Sequence, residues 1–309
     1  MKSTGRIQVL IIVTALSFGI LAGCKATSHT ASPAVSPTST LEVNQDKIMK
    51  DYQVLLKNSD TLIEAVKFMD ENVSKVSTDN AVIMVVEFEK AQKQFLPKLE
   101  DEFYKDNGAV QTKINELNKP GFDINKIDDI EDVELKALLT KTRDSGYKVE
   151  TAEGMFFPII NYEFYKKYSD KVTPDIKEYI DLMAVESNNM PAKDAALVIG
   201  WEEVLKRALN QEKYIAQYKN STKIDDVKAL YKRYLTFTLL GLNNTPLFSY
   251  DSNLMDSDAR KAYENLLKDG KDSDFIKILN DYMEMIKKNN YKLTDDLDKY
   301  RKDILDNLK

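Results

Sequence analysis

Residues 275–286 read FIKILNDYMEMI. Phe275, Leu279, Tyr282 and Ile286 recur at steps of four and three, with Lys277, Asn280, Asp281 and Glu284 between them. That is the period of a helix with one apolar face and one solvated face. The same period runs outward along the chain. It appears in Leu62, Val66, Met69, Val73 and Val76, and in Met84, Phe88, Ala91 and Phe95. Val227, Leu230, Tyr234, Thr238 and Leu242 follow it with one polar lapse, and Leu297, Tyr300, Ile304 and Leu308 close the chain with it. The expected fold class is therefore all-α, with amphipathic helices packed into bundles from about Asn44 onward.

Punctuation agrees with this reading. Ser59, Thr173, Asp256 and Thr294 each precede an apolar stripe and can accept a hydrogen bond from an orphan first-turn amide. Pro174 suits a first helical position, and Gly270 suits the left-handed position past a helix end. Pro97 lies inside a helical pattern and is expected to kink or split it. Strand signals are few. Tyr147-Lys148-Val149-Glu150-Thr151 alternates after the turn signal Asp144-Ser145-Gly146, which suggests a short extended piece and a boundary. Two helical subdomains are then expected, 43–145 and 146–309, with a single continuous helical domain as the alternative. Residues 200–221 read as a helical hairpin whose Ala208, Tyr214 and Tyr218 faintly resemble the second half of a tetratricopeptide repeat. No 34-residue self-similarity supports a solenoid.

The start of the chain is different in kind. Lys2 and Arg6 precede a mostly apolar run, Ile7–Ile20, which ends in Leu21-Ala22-Gly23-Cys24. A charged start, a short apolar middle and a small-residue cleavage site form a secretory signal. The run is too short to span a bilayer comfortably, which takes about 20 residues. Leu-Ala-Gly-Cys resembles the lipobox of bacterial lipoproteins. The resemblance implies residues 1–23 as a signal peptide, cleavage before Cys24, and a diacylglycerol on its thiol. It implies a chain held to the cell membrane on the outer, extracytoplasmic face. Two acyl chains on one residue suffice for stable anchoring. Residues 24–42 are Ser, Thr, Ala and Pro with almost no large apolar side chain, and are expected to remain a disordered tether.

Composition narrows the function. The chain has 50 acidic against 44 basic residues, and cleavage removes two bases and no acid. Nucleic acid, which demands a basic face, is not an expected partner. The only histidine, His29, lies in the tether, and the only cysteine is Cys24. The folded part therefore has no Ser-His-Asp triad, no Cys-His pair and no nitrogen–sulfur zinc site. Its glycines are isolated, so no phosphate-cradling loop can be written. No cofactor and no metal is expected.

Four features remain as candidates. Glu186-Ser187-Asn188 resembles the start of the catalytic motif of lytic transglycosylases, in which a buried glutamic acid protonates a glycosidic oxygen. The Gly-Leu-Met-Gln continuation of that motif is missing, and a helix ending before Pro191 explains the same residues. The rings Phe156, Phe157, Tyr162, Phe164, Tyr165 and Tyr168, with Glu153 just upstream, either stack on sugars of the wall or fill a core. The acidic stretch Asp123, Asp128, Asp129, Glu131, Asp132 and Glu134 fits no EF-hand spacing and reads as a solvated loop with helix starts. The loop 241–250 (GLNNTPLFSY) mixes apolar residues with turn formers. It either carries a binding site or tucks Leu247 and Phe248 inward. The candidate ligand contacts are Glu153, Phe157, Tyr162, Tyr165, Asn243, Asn244 and Phe248.

The expectation is a non-enzymatic, membrane-tethered binding protein of the cell envelope, with a protein, a wall polymer or a small ligand as partner. The alternative is a carboxylate-dependent enzyme acting on wall glycan, with Glu186 or Glu153 as its acid. A transporter's solute receptor is a third option, which a strand-rich fold would favour.

Overall fold

A computed structural model describes residues 38–119, 123–268, 270 and 272–307. The signal segment and Cys24 lie outside these residues, as does the expected tether up to residue 37. From Thr38 the chain is helical.

The all-α expectation holds. The first four helices are α1 (Thr38–Leu55), α2 (Leu62–Asn72), α3 (Thr78–Leu117) and α4 (Val133–Asp144). The hairpin β1 (Tyr147–Ala152) and β2 (Met155–Ile160) follows, then α5 (Tyr162–Tyr165) and α6 (Pro174–Asn188). A second hairpin, β3 (Ala192–Lys193) and β4 (Ala196–Leu197), leads to α7 (Trp201–Gln217) and α8 (Ile224–Leu240). A third, β5 (Gly241–Leu242) and β6 (Thr245–Pro246), leads to α9 (Ser257–Lys268), α10 (Asp274–Lys288) and α11 (Asp295–Asn307). From residue 147 the order hairpin, helix, helix thus occurs three times. The second helix of each unit opens with an acid, an apolar residue and a lysine close together. These are Asp175-Ile176-Lys177, Asp226-Val227-Lys228, and Asp274 with Phe275 and Lys277. Ile176, Val227 and Phe275 are all buried. The turns of the hairpins fall at 153–154, 194–195 and 243–244, unevenly spaced. A search for one fixed period misses such a pattern.

The helix ends follow their capping chemistry. Ser77, Asp132 and Ser273 accept from amides in the first turns of α3, α4 and α10. Asp256 accepts from Asp258 N and Ala259 N ahead of α9, and Thr294 from Leu297 N ahead of α11. Near residue 59 the capping side chain is Asn58 rather than Ser59, because the short 3-10 turn begins at Ser59 itself. Thr173 makes no side-chain cap, and Pro174 at the first helical position removes one amide in need of one. Pro97 does not break α3. The break comes later, where Asp106, Asn107 and Gly108 adopt positive φ. Losing one amide at Pro97 is tolerated, whereas three consecutive residues at ease in the left-handed region allow the chain to turn.

Among the described residues the interior forms two apolar clusters. The first gathers residues of α1–α6 and of β1 and β2, with Tyr52, Met69, Met84, Phe88 and Phe103 at its centre. The second gathers α7–α11 and the loop after β6, around Leu235, Leu247, Tyr263, Phe275 and Tyr282. The seam lies between Ala184 and Ile199, not at the expected boundary of 145/146. Tyr147, Val149, Phe156 and Ile160 of the first hairpin point into the first core. Gln111 of α3 stitches the hairpin there: its amide donates to Phe156 O at 2.7 Å, and its carbonyl accepts from Phe156 N at 2.8 Å. Tyr214 of α7 and Val227 of α8 also belong to the first cluster, so these two helices join both cores.

Candidate functional site

The three hairpins lie side by side. The two-residue turns Glu153-Gly154 and Asp194-Ala195 have positive φ at both positions, the geometry that suits the right-handed twist of a tight hairpin. The Lys193 ammonium of the second hairpin reaches the first, donating to Glu150 Oε1 at 2.7 Å and to Thr151 O at 2.9 Å. The third hairpin locks onto the second through Asn244. Its backbone amide donates to Ala195 O at 2.9 Å, and its side chain donates to Asp194 O at 2.6 Å. Leu197 N donates to Thr245 Oγ1 at 3.1 Å. The result is a ribbon of hairpins on which Glu153, Met155, Asp194, Val198, Asn243 and Asn244 are exposed.

At its C-terminal end the ribbon opens into a surface depression of about 500 Å³. Tyr250, Asp251, Asp256 and Leu254 supply its ring, its carboxylates and part of its apolar wall, and Asn244, Thr245 and Ser249 its neutral polar groups. The Tyr250 side chain is 71% exposed, yet its hydroxyl donates to Asn243 O at 3.2 Å. The loop beneath is held by backbone bonds. Ser249 N donates to Leu254 O, Asn253 N to Ser249 O, Met255 N to Tyr291 O, and Leu293 N to Asn253 O. The ring therefore stands on a fixed frame. Tyr250 was readable as the last residue of a turn-rich loop. Its place beside Asn244 and Asp256 was not.

The expected ligand contacts separate into two groups. Glu153, Asn243 and Asn244 are exposed at hairpin tips. Phe157 is half-buried, paired across the hairpin with Glu150. Tyr162 and Tyr165 are buried in the first core, and Phe248 in the second. Their apolar area drives packing, and the two phenols are spent internally: Tyr162 donates to Glu89 Oε1 at 2.5 Å and Tyr165 to Gln92 Oε1. These three residues are therefore corrected from candidate contacts to core. Asp132 of the acidic stretch caps α4 and pairs with Lys113 at 2.9 Å.

Two carboxylates set among helices differ in their surroundings. Glu186 sits among α6, α7 and α8, its side chain 10% exposed. Tyr234 Oη lies 2.6 and 2.8 Å from its two oxygens, and Arg207 Nη1 3.3 Å from one. Burial pushes the Glu186 carboxyl above its ordinary range, and the pull of Tyr234 and Arg207 does not offset it. Glu89 of α3 was not singled out by sequence reading, because nothing local distinguishes it from a solvated helix residue. It accepts from Tyr162 and Tyr179 and pairs with Lys93 at 2.8 Å and Lys223 at 2.5 Å. Burial raises its pKa, but the two ammonium groups outweigh that and leave it below the usual range. Lys223 lies just ahead of α8, so this pair ties α8 to α3.

No family model, curated protein or solved structure matches the chain.

Proposed function

We propose that this protein is a membrane-tethered, non-enzymatic binding protein of the cell envelope, and that the hairpin ribbon with the depression at Tyr250 is its contact surface. In this reading Cys24 carries the lipid, the following residues act as spacer, and the helical body holds the ribbon toward an envelope polymer or protein. The carrying observation is the Tyr250 ring, exposed yet anchored on a pinned loop beside two carboxylates. Burying such a ring costs little ordering entropy, because the free protein already holds it. Loops on a rigid scaffold are where binding residues concentrate. The test is retention of isolated envelope material by the full-length chain and by Tyr250→Ala. Equal retention by both removes the ribbon from the reading. Mass spectrometry of the N-terminus tests the anchor, which requires a diacylated Cys24 as the first residue.

The enzyme reading keeps one specific observation, the raised pKa of Glu186, which a general acid requires. Against it stands the geometry, since Tyr234 is within hydrogen-bond reach of both oxygens of that carboxyl. Degradation of wall glycan by the full-length chain, abolished in Glu186→Gln, would overturn the binding reading.

A further inference from the structure

The α7–α8 turn, residues 218–223, is fastened to α3 and α6 through carboxylates. Among the described residues, every side-chain bond it makes to those two helices ends on one. Lys223 Nζ lies 2.5 Å from Glu89 Oε2 of α3. Ser221 Oγ donates to Asp175 Oδ2 of α6 at 2.5 Å, and accepts from Tyr214 Oη at 2.8 Å and from Lys223 N at 3.2 Å. We infer that this turn is an acid-released latch: protonation of Glu89 frees it from α3 while the second core stays folded. The second core, around Phe275 and Tyr282, contains none of the residues that hold the turn.

Charge balance explains why. Glu89 accepts from Tyr162 Oη of α5 at 2.5 Å and Tyr179 Oη of α6 at 2.6 Å, and pairs with Lys93 Nζ at 2.8 Å as well as with Lys223. Asp226 of α8 faces the same two ammonium groups, 3.6 Å from Lys93 and 3.3 Å from Lys223, with Tyr179 Oη 3.5 Å away. Burial raises both phenols well above their ordinary value, so they stay neutral. Four charged groups remain, two of each sign. A proton on Glu89 leaves one positive charge in excess. Lys93 and Asp226 have exposed side chains, so water reaches them where they stand. Lys223 is 7% exposed. Acid cannot discharge an ammonium, and a buried one without its counter-charge is strongly destabilising. Lys223 also stands at the N-cap of α8, where the helix dipole disfavours a cation. The way left to it is outward, and the turn moves with it. Tyr214 and Val227, buried in the first core, oppose release, and above the folded pKa the ion pair acts with them. Burial raises the Glu89 carboxyl, but the two ammonium groups outweigh it and leave it below 4.5. The latch therefore holds above that value and opens as pH falls through the folded pKa.

The experiment is hydrogen exchange of the full-length chain in detergent, read by peptide mass spectrometry across a pH series and corrected for the intrinsic pH dependence of exchange. Residues 214–227 are expected to lose protection by about tenfold or more as pH falls below 4.5, while residues 275–286 keep theirs. Lys223→Met removes the charge that acid would strand, and is expected to keep 214–227 protected where the wild type opens. Glu89→Gln is expected to open the turn at neutral pH. Loss of protection in both segments at one pH is global unfolding and overturns the inference. Opening of Lys223→Met at the wild-type pH overturns it, as does a turn that stays closed in acid or a closed turn in Glu89→Gln. Should Glu89→Gln fail to fold, the comparison of wild type with Lys223→Met still decides the outcome.

Discussion

Glu89 is buried and Glu186 partly buried, and protonation acts on them with opposite sign. The folded Glu89 carboxyl lies below its ordinary value of 4.5. Its contribution to stability is fully present above that value and is lost as pH falls through the folded pKa. The folded Glu186 carboxyl is raised above 4.5, so its contribution is present below that value and is lost as pH rises through the folded pKa. Neutralising each at pH 7 should therefore give different results. Glu89→Gln leaves the buried Lys223 without its closest partner and is expected to cost about 3 kcal/mol, in the range for a broken buried pair. Glu186→Gln keeps an acceptor for Tyr234, and Arg207 keeps Glu203 at 2.9 Å and Asn189 O at 2.9 Å. Its cost is expected to stay within about 1 kcal/mol. Denaturant titrations of both variants at neutral and acid pH measure these costs. Glu89→Gln should lose part of the wild-type sensitivity to acid. Equal costs for the two variants would contradict the account. Neither role was legible from neighbouring residues, because each depends on partners brought in from other helices.

The hairpins show what an element of two-residue strands can and cannot reveal. Of the first, only β1 was legible, as alternation at 147–151; β2 reads MFFPII and shows no apolar–polar alternation. The second and third have two residues per strand, too few for a period of two to show. Their backbone geometry carries predictions. Gly241 ends α8 at φ 74°, ψ −151°, and a Cβ there would sit 2.3 Å from Thr245 O and 2.6 Å from Leu247 N. Both atoms are backbone and cannot swing aside. Gly241→Ala is expected to cost about 2–3 kcal/mol and to loosen the loop that carries Tyr250. Ala195 holds φ 52° at the second hairpin turn and is exposed. Ala195→Gly removes that strain and is expected to gain up to about 1 kcal/mol. Thermal unfolding of the two variants should move in opposite directions.

Across the molecule, the two cores are not independent. α7 and α8 contribute side chains to both, and Lys223 ties the start of α8 to Glu89 of α3. Calorimetry is expected to show one unfolding transition with equal calorimetric and van't Hoff enthalpies. Two resolved transitions would mean that the seam is a domain boundary after all. A double-mutant cycle on Glu89→Gln and Lys223→Met should give a coupling energy of about 1–3 kcal/mol, since each side chain is the other's nearest charge.

Helical class and helix positions were already written in the chain, because burying one face of a helix requires a period that a few residues display locally. Stripes such as 275–286 carry that information wherever they sit. The seam between cores, the loss of Tyr162, Tyr165 and Phe248 to the interior, and the meeting of Asn244 with Asp194 belong to the packed molecule. Asp194 and Asn244 are separated in sequence by all of α7 and α8, and they touch because those helices pack as a hairpin and return the chain to its starting edge. Which apolar residues are covered depends likewise on the partner surfaces that reach them. No local pattern encodes that, since a ring destined for solvent and one destined for the core have the same chemistry until their neighbours arrive.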